Sequence, residues 1–333
     1  MTWLVWRQYR ALGAIAFVLL AAFAAATLAG GLQIASRWHS MLASCSGHIA
    51  CLQQQEPLPP LVSQSVVDAV LLVGIAVPVV LGMLVGAPLV AHELEARTSD
   101  FVWAQSVTRT RWLTARIGWL VLAAAACGGA VAALITWWSG PDNTLTVNAF
   151  RPGQFDIQGI VPVGYAVFAM ALGIAAGTVT RRTLPAIAIA LGGFAALRLV
   201  IADFVRPHYM TAVTHYYNLT TSFTPRGQAW LYSQGAVSAT GQVVPQGWGD
   251  LYPALPATCK RVFNDTQGAP SKSGGSPLNP VFSCLRAHGW RGFATYQPAS
   301  RYWPFQTIEA GIFVVLAAAL ITVTFVIIRR RDA

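Results

Sequence analysis

Charge is what this chain has least of. Only 10% of its 333 residues are Asp, Glu, Lys or Arg, against about 25% in an ordinary soluble domain. With 55% hydrophobic residues and a mean hydropathy of +0.53, a water-soluble globule is excluded. Catalytic signatures are missing too. There is no GxxxxGK[ST], so no Walker phosphate loop. HExxH is absent, and His92-Glu93 has no second histidine on the same helical face. GxSxG does not occur, and Ser106, Thr108 and Ser139 lack a base at readable spacing. No CxxC spacing occurs, which argues against a zinc site. His39, His48, His92, His208, His215 and His288 are scattered and read as ordinary polar residues. The chain is therefore not expected to be an enzyme, and no metal site is expected in it.

What is present is long apolar sequence. A hydrocarbon core of ~30 Å needs ~20 helical residues. Six runs meet that length: 11–34, 69–91, 117–138, 160–180, 184–205 and 310–328. The first outlasts the ~7–15 apolar residues of a secretory signal and is read as a span. The net charge of +10 does not point to nucleic acid, because the cations gather at the ends of apolar runs rather than on a stripe. They report orientation instead. Arg7, Arg10, Arg97, Arg109, Arg111, Arg116, Arg181, Arg182 and Arg329–Arg331 fall on one side; the short loops of the other side hold only Arg37 and Arg151. Both termini are thus expected in the cytoplasm, in a multi-pass membrane chain.

The expected fold is an all-α polytopic membrane protein. Six transmembrane helices carry a large, mixed, disulfide-stapled extracytoplasmic domain between helices 5 and 6. Residues 1–10, with Trp3, Trp6 and Tyr9 beside Arg7 and Arg10, suit an interfacial elbow or an aromatic belt. Five spans follow within 11–205, with a cytoplasmic loop at 92–116; the extracytoplasmic domain is 206–307, and the sixth span with its basic tail is 308–333. Cys45 and Cys51 share the first outside loop, and Cys259 and Cys284 share the large outside segment. Even counts in each region fit the disulfides Cys45–Cys51 and Cys259–Cys284 in an oxidising compartment, with cross-pairing as the competing arrangement.

Two features inside the spans invite a function. Gly173 and Gly177 have GxxxG spacing, which suits either packing within the bundle or a dimer face. Arg198 and Asp203 are charges inside the fifth apolar run. They line a transport path, or else Arg198 snorkels or pairs with Asp203.

The polar insert AHELEARTSDFVWAQSVTRTRWLTAR, 91–116, organises the rest. Glu93 and Glu95 close the second apolar run, Phe101, Val102, Trp103 and Val107 form an amphipathic segment, and Arg109, Arg111 and Arg116 lead into the next run. Gly86 to Gly118 resembles the signature region of ABC-2 type transporter permeases, of the actinobacterial kind. Glu93, Thr98 and the run Ser106-Val107-Thr108-Arg109 carry the likeness; Ala96-Arg97 departs from it where relatives place a glycine before the threonine.

The resemblance implies the membrane-spanning subunit of an ATP-binding cassette exporter. It further implies a second permease copy, a homodimer, embedded in the membrane lipid of a bacterial plasma membrane. A separate ATPase subunit would bind ATP and Mg, with no cofactor in this chain and no nucleic acid involved. Glu93, Glu95, Thr98, Phe101, Trp103, Ser106, Thr108, Arg109 and Arg111 would form its coupling loop. There the acids pair with Arg109 or Arg111, or with basic residues of the ATPase. Few intramembrane charges favour amphipathic or hydrophobic cargo such as drugs, lipids or peptides. The alternative is a membrane-anchored sensor or assembly protein whose outside domain binds a ligand.

Overall fold

The computed structural model describes residues 2–46, 64–81, 85–88, 109–140, 150, 153–220, 223, 229–245, 252–266 and 279–330. They divide into two compact units. In chain order the elements are α1 (Thr2–Ser44), α2 (Gln64–Leu81), α3 (Arg109–Trp138), α4 (Gln154–Ile157), α5 (Val161–Thr180) and α6 (Thr183–Val200). A π-helical turn, Ile201–Val205, and a 3-10 turn, Arg206–His208, extend α6. Then come β1 (Val213–Tyr217), β2 (Trp230–Val237), β3 (Val243–Pro245), α7 (Ala257–Thr266), α8 (Asn279–Ala287), β4 (Arg291–Gln297) and α9 (Tyr302–Arg330).

The first unit is helical. Among the described residues, four helical stretches are long and apolar enough to cross a membrane: Thr114–Trp138, Val161–Thr180, Thr183–His208 and Ala299–Arg330. Six spans were expected. The first apolar run forms the middle of α1, a helix of 43 residues that absorbs both the expected elbow and the start of the first loop. Nothing in 2–44 forces a break, since Pro is absent and Ala and Leu abound. The second run falls on α2 and extends past the described residues, with Asp68–Val77 as its apolar stretch. The third helix begins at Arg109 rather than at 117, so the C-terminal part of the expected loop is helical. Arginine is a good helix former, and a spanning helix continues readily past its apolar stretch.

Packing of α3 on α5 buries Ile117, Leu120, Ala124, Ala166, Met170 and Ile174 as one cluster. Gly173 and Gly177 are buried in this chain's own packing, where a Cβ on Gly86 would come within 3.4 Å of the Gly173 Cα. The helix ends at Thr180-Arg181-Arg182-Thr183. Arg181 takes the left-handed conformation (φ 53°), and its N–H donates to the Gly177 carbonyl, a helix stop that needs no glycine.

The second unit comprises Met210–Tyr302 with Thr146–Phe150. Its sheet has strand order β1-β4-β2-β3, all pairs antiparallel, with Val213 opposite Tyr296 and Trp230 opposite Gln297. A disulfide joins Cys259 on α7 to Cys284 on α8. A core of Ala236, Val244, Leu255, Cys259, Phe263, Val281, Leu285 and Trp290 lies between sheet and helices. Phe150, from the connection before α4, is fully buried against Trp230 and Tyr302 at 5.8 and 5.9 Å between ring centroids. The unit thus draws on a second stretch of chain besides 206–307.

Candidate functional site: a buried joint of four charges

Four helical segments of the first unit meet at a cluster of ionised side chains. Asp156 comes from α4, Arg198 from α6, Arg206 from the turn beyond it, and Glu309 from α9. Arg206 is the centre, with 1% of its surface exposed. Its Nε donates to Glu309 Oε2 at 2.8 Å and its Nη2 to Glu309 Oε1 at 2.7 Å, the forked pairing that suits a planar guanidinium. The same Nη2 donates to Asp156 Oδ1. Phe155 lies under the guanidinium, 4.3 Å from Cζ to ring centroid. Arg198 Nη2 donates to Asp156 Oδ2 at 2.5 Å. Tyr165 on α5 brings its hydroxyl to 2.6 Å from Glu309 Oε1 and 3.2 Å from Asp156 Oδ1; Tyr209 donates to Glu309 Oε2 at 3.2 Å.

Two guanidiniums and two carboxylates leave no net charge. That balance makes burial tolerable, because an isolated buried charge costs far more than a paired one. It also means that the cluster as a whole presents an ion with no net charge to balance. Its chemistry is that of a joint, since its contacts tie α4, α5, α9 and the extended α6 to one another.

Local backbone aims the two arginines together. Residues eight apart on a straight α-helix point ~80° away from each other. The π turn between Arg198 and Arg206 takes in an extra residue, which returns Arg206 to the side of Arg198. The connection between α4 and α5 is held as firmly. Gln306, fully buried on α9, accepts from the N–H groups of Ile160 and Val161, both at 3.0 Å, and donates to the Phe155 carbonyl at 2.9 Å. It thereby satisfies donors that a helix start otherwise leaves orphaned. The Gly159 N–H donates to Thr136 Oγ1 of α3 at 3.0 Å. Gly159 has φ +67°, and a Cβ there would lie 2.7 Å from Gln306 Oε1. Gly159→Ala is expected to cost about 2 kcal/mol or more through left-handed strain and loss of this cap. A thermal melt of the purified protein measures it.

Burial pushes the Asp156 carboxyl up, but the adjacent Arg206 and Arg198 guanidiniums outweigh burial and hold it below its ordinary range. The sign of the linkage follows. A carboxylate depressed in the folded state stabilises the fold above its unfolded value, about 3.9, and that contribution is lost as pH falls through the folded value. Melting temperature should therefore drop as pH is lowered from 6 to 3, and the drop should be smaller in Asp156→Asn.

The sequence pointed elsewhere for much of this. Arg198 pairs with Asp156 and not with Asp203, which is exposed on the π turn. Arg198 is 19% exposed, and its guanidinium is held in the joint by Asp156. Asp156, Arg206 and Glu309 escape a reading by apolar runs, because such runs are cut where charges begin. Each sits at the edge of a run, so each reads as loop. The signal that finds them is balance: one acid before the fourth run, one arginine after the fifth and one acid before the sixth, all on one side.

Of the expected coupling residues, Glu93, Glu95, Thr98, Phe101, Trp103, Ser106 and Thr108 lie outside the described residues, and Arg109 and Arg111 fall in the first turn of α3. Cys45 is disulfide-bonded, and its expected partner Cys51 lies outside the described residues. One grouping has metal-ligand elements, Cys259 and Cys284 with His288. Its sulfurs are spent on each other, with His288 Nδ1 3.8 and 4.0 Å away.

Residues 17–206 match the family described as ABC-2 membrane transporter related. The match begins in α1, crosses the polar insert and ends on Arg206, the centre of the joint. Comparison with curated proteins and with solved structures found no match. More than half of the chain is covered by the family, and its apolar helices suit a membrane permease; the chain belongs to the ABC-2 membrane transporter related family.

Proposed function

We propose that this chain is the membrane-spanning subunit of an exporter driven by a separate ATP-binding cassette ATPase. Two copies enclose a path that opens alternately to either side of the plasma membrane. Family membership across 17–206 is the observation that carries this reading. The insert 92–116 is the part that the ATPase grips, with Glu93, Glu95, Trp103 and Arg109 in the contact. ATP and Mg belong to that partner, and both termini of this chain lie on its side of the membrane. The neutral joint supports the reading mechanically. A push on the insert reaches α2 and α3, and α3 is tied through Thr136 to the α4–α5 connection that Gln306 holds. Amphipathic or hydrophobic cargo fits helices whose apolar stretches carry few charges.

Co-expression with a Walker-type ATPase encoded beside this gene tests the proposal. A stable complex is expected whose ATP hydrolysis falls at least tenfold in Glu93→Gln with Arg109→Gln. A chain that recruits no ATPase, or a complex indifferent to those changes, overturns it and leaves the ligand-binding sensor as the better reading. Thiol labelling of Trp103→Cys gives a second check, because a residue reached only from outside the cell is beyond any cytoplasmic ATPase.

A further inference from the structure

The second unit contains a cleft of about 470 Å³ whose walls come from two places in the chain. The end of β1 supplies Tyr216 and Tyr217, and the passage from α8 into β4 supplies Arg286, Trp290 and Arg291. That passage is rigid. Gly289 (φ +77°) donates its N–H to the Arg286 carbonyl at 2.9 Å, and Trp290 donates to Leu285 at 3.1 Å. These are the paired bonds of a Schellman stop, sealed by contact of the Trp290 and Leu285 side chains in the core. On the opposite wall the Tyr217 ring lies directly against the β4 backbone, since a Cβ on Gly292 would meet it at 2.5 Å. Tyr217 is backed in turn by Phe223 at 5.2 Å. The Tyr217 ring is therefore held in place before anything binds, and Tyr216 remains 58% exposed.

Charge in the cleft is of one sign. Arg286 and Arg291 are exposed, neither makes an ion pair among the described residues, and no carboxylate lines the space. Across Met210–Tyr302 the sequence has seven Lys or Arg against Asp250 and Asp265 alone. At the joint the protein cancels its buried charges; here it leaves two exposed guanidiniums uncancelled beside the exposed Tyr216 ring.

We infer that this cleft binds an organic anion: a carboxylate, sulfonate or phosphate carried on an aromatic or apolar body. Guanidiniums are weakly hydrated and pair with planar or tetrahedral oxyanions, while the exposed Tyr216 ring takes the apolar part. The volume is that of a small-molecule site. The assignment is independent of ATPase coupling and concerns only the second unit's own surface.

The full chain in phosphatidylcholine nanodiscs, titrated calorimetrically with naphthalene-2-sulfonate against empty discs, tests it. Saturable binding of one probe per chain is expected. Arg286→Gln with Arg291→Gln should weaken it about tenfold or more, and Arg286→Lys with Arg291→Lys should fall between. Neutral naphthalene-2-methanol should bind less tightly and ignore the arginine changes, but lose affinity in Tyr216→Ala. Discs containing phosphatidylglycerol separate two natural sources. Competition with the probe assigns the anion to a lipid headgroup, and its absence assigns it to a soluble molecule. No saturable binding, equal affinity for the neutral probe, or indifference to the arginine substitutions overturns the inference. The arginines are exposed, so their replacement leaves the fold intact.

Discussion

Glu309→Ala should lower the melting temperature of the protein by on the order of 10 °C, a larger loss than Gly159→Ala brings. Glu309 is fully buried and takes both arms of the Arg206 fork, the Tyr165 hydroxyl and the Tyr209 hydroxyl. Its removal strands a guanidinium that is itself 1% exposed and leaves the joint with one uncancelled positive charge. Breaking one side of a buried pair in this way costs about 3–5 kcal/mol, mostly from the charge left behind. Arg206→Met in the same chain restores neutrality, because Asp156 and Arg198 still match. The double variant should therefore be more stable than the two single losses added together. Thiol-reactive dye melting reports it, since Cys127 on α3 is a free thiol. Equal and additive losses would show that the four charges do not act as one unit.

Cys259→Ser with Cys284→Ser should destabilise the second unit by about 3–4 kcal/mol, from the entropy of a loop with a sequence separation of 25 residues. Both sulfurs sit in or against that unit's core, and the loop they close carries α7 and α8. Limited proteolysis should cut the variant within 252–290 at protease levels that leave the parent intact. The first unit shares no part of this core, so the dye-monitored melt of its helices should not move. A shift in that melt as large as the one at Glu309 would overturn the separation of the two effects.

How far the sequence alone reveals this arrangement varies by element. The apolar lengths of α3, α5, α6 and α9 are legible because the hydrocarbon thickness sets one number that each run must meet. Arg198 is legible as an exception inside such a run. Its partner is not, because Asp156 sits on a four-residue helix with no periodicity to detect. Arg206 and Glu309 stand 103 residues apart, and no local rule relates them. The π turn that aligns Arg198 with Arg206 carries no signal in Ile201-Ala-Asp-Phe-Val205. Phe150 reads as part of a loop, since one aromatic among polar neighbours has no pattern. In the second unit the aromatic wealth announces a core, but the order β1-β4-β2-β3 depends on long-range pairing that the chain does not spell out locally.

The neck of the inserted segment has a consequence for how the protein tolerates changes to that segment. In the helical unit Arg206 grips Glu309, and the Tyr209 and Phe305 rings meet at 5.4 Å. In the other unit Val213 is bonded across to Tyr296. Everything between is thus a cassette whose two ends are tied together twice, once in each unit. Lengthening, shortening or exchanging such a cassette alters loop-closure entropy only slowly and leaves the knot of charges undisturbed. A chain whose cassette is shortened or exchanged should therefore still fold its helical unit around Asp156, Arg198, Arg206 and Glu309.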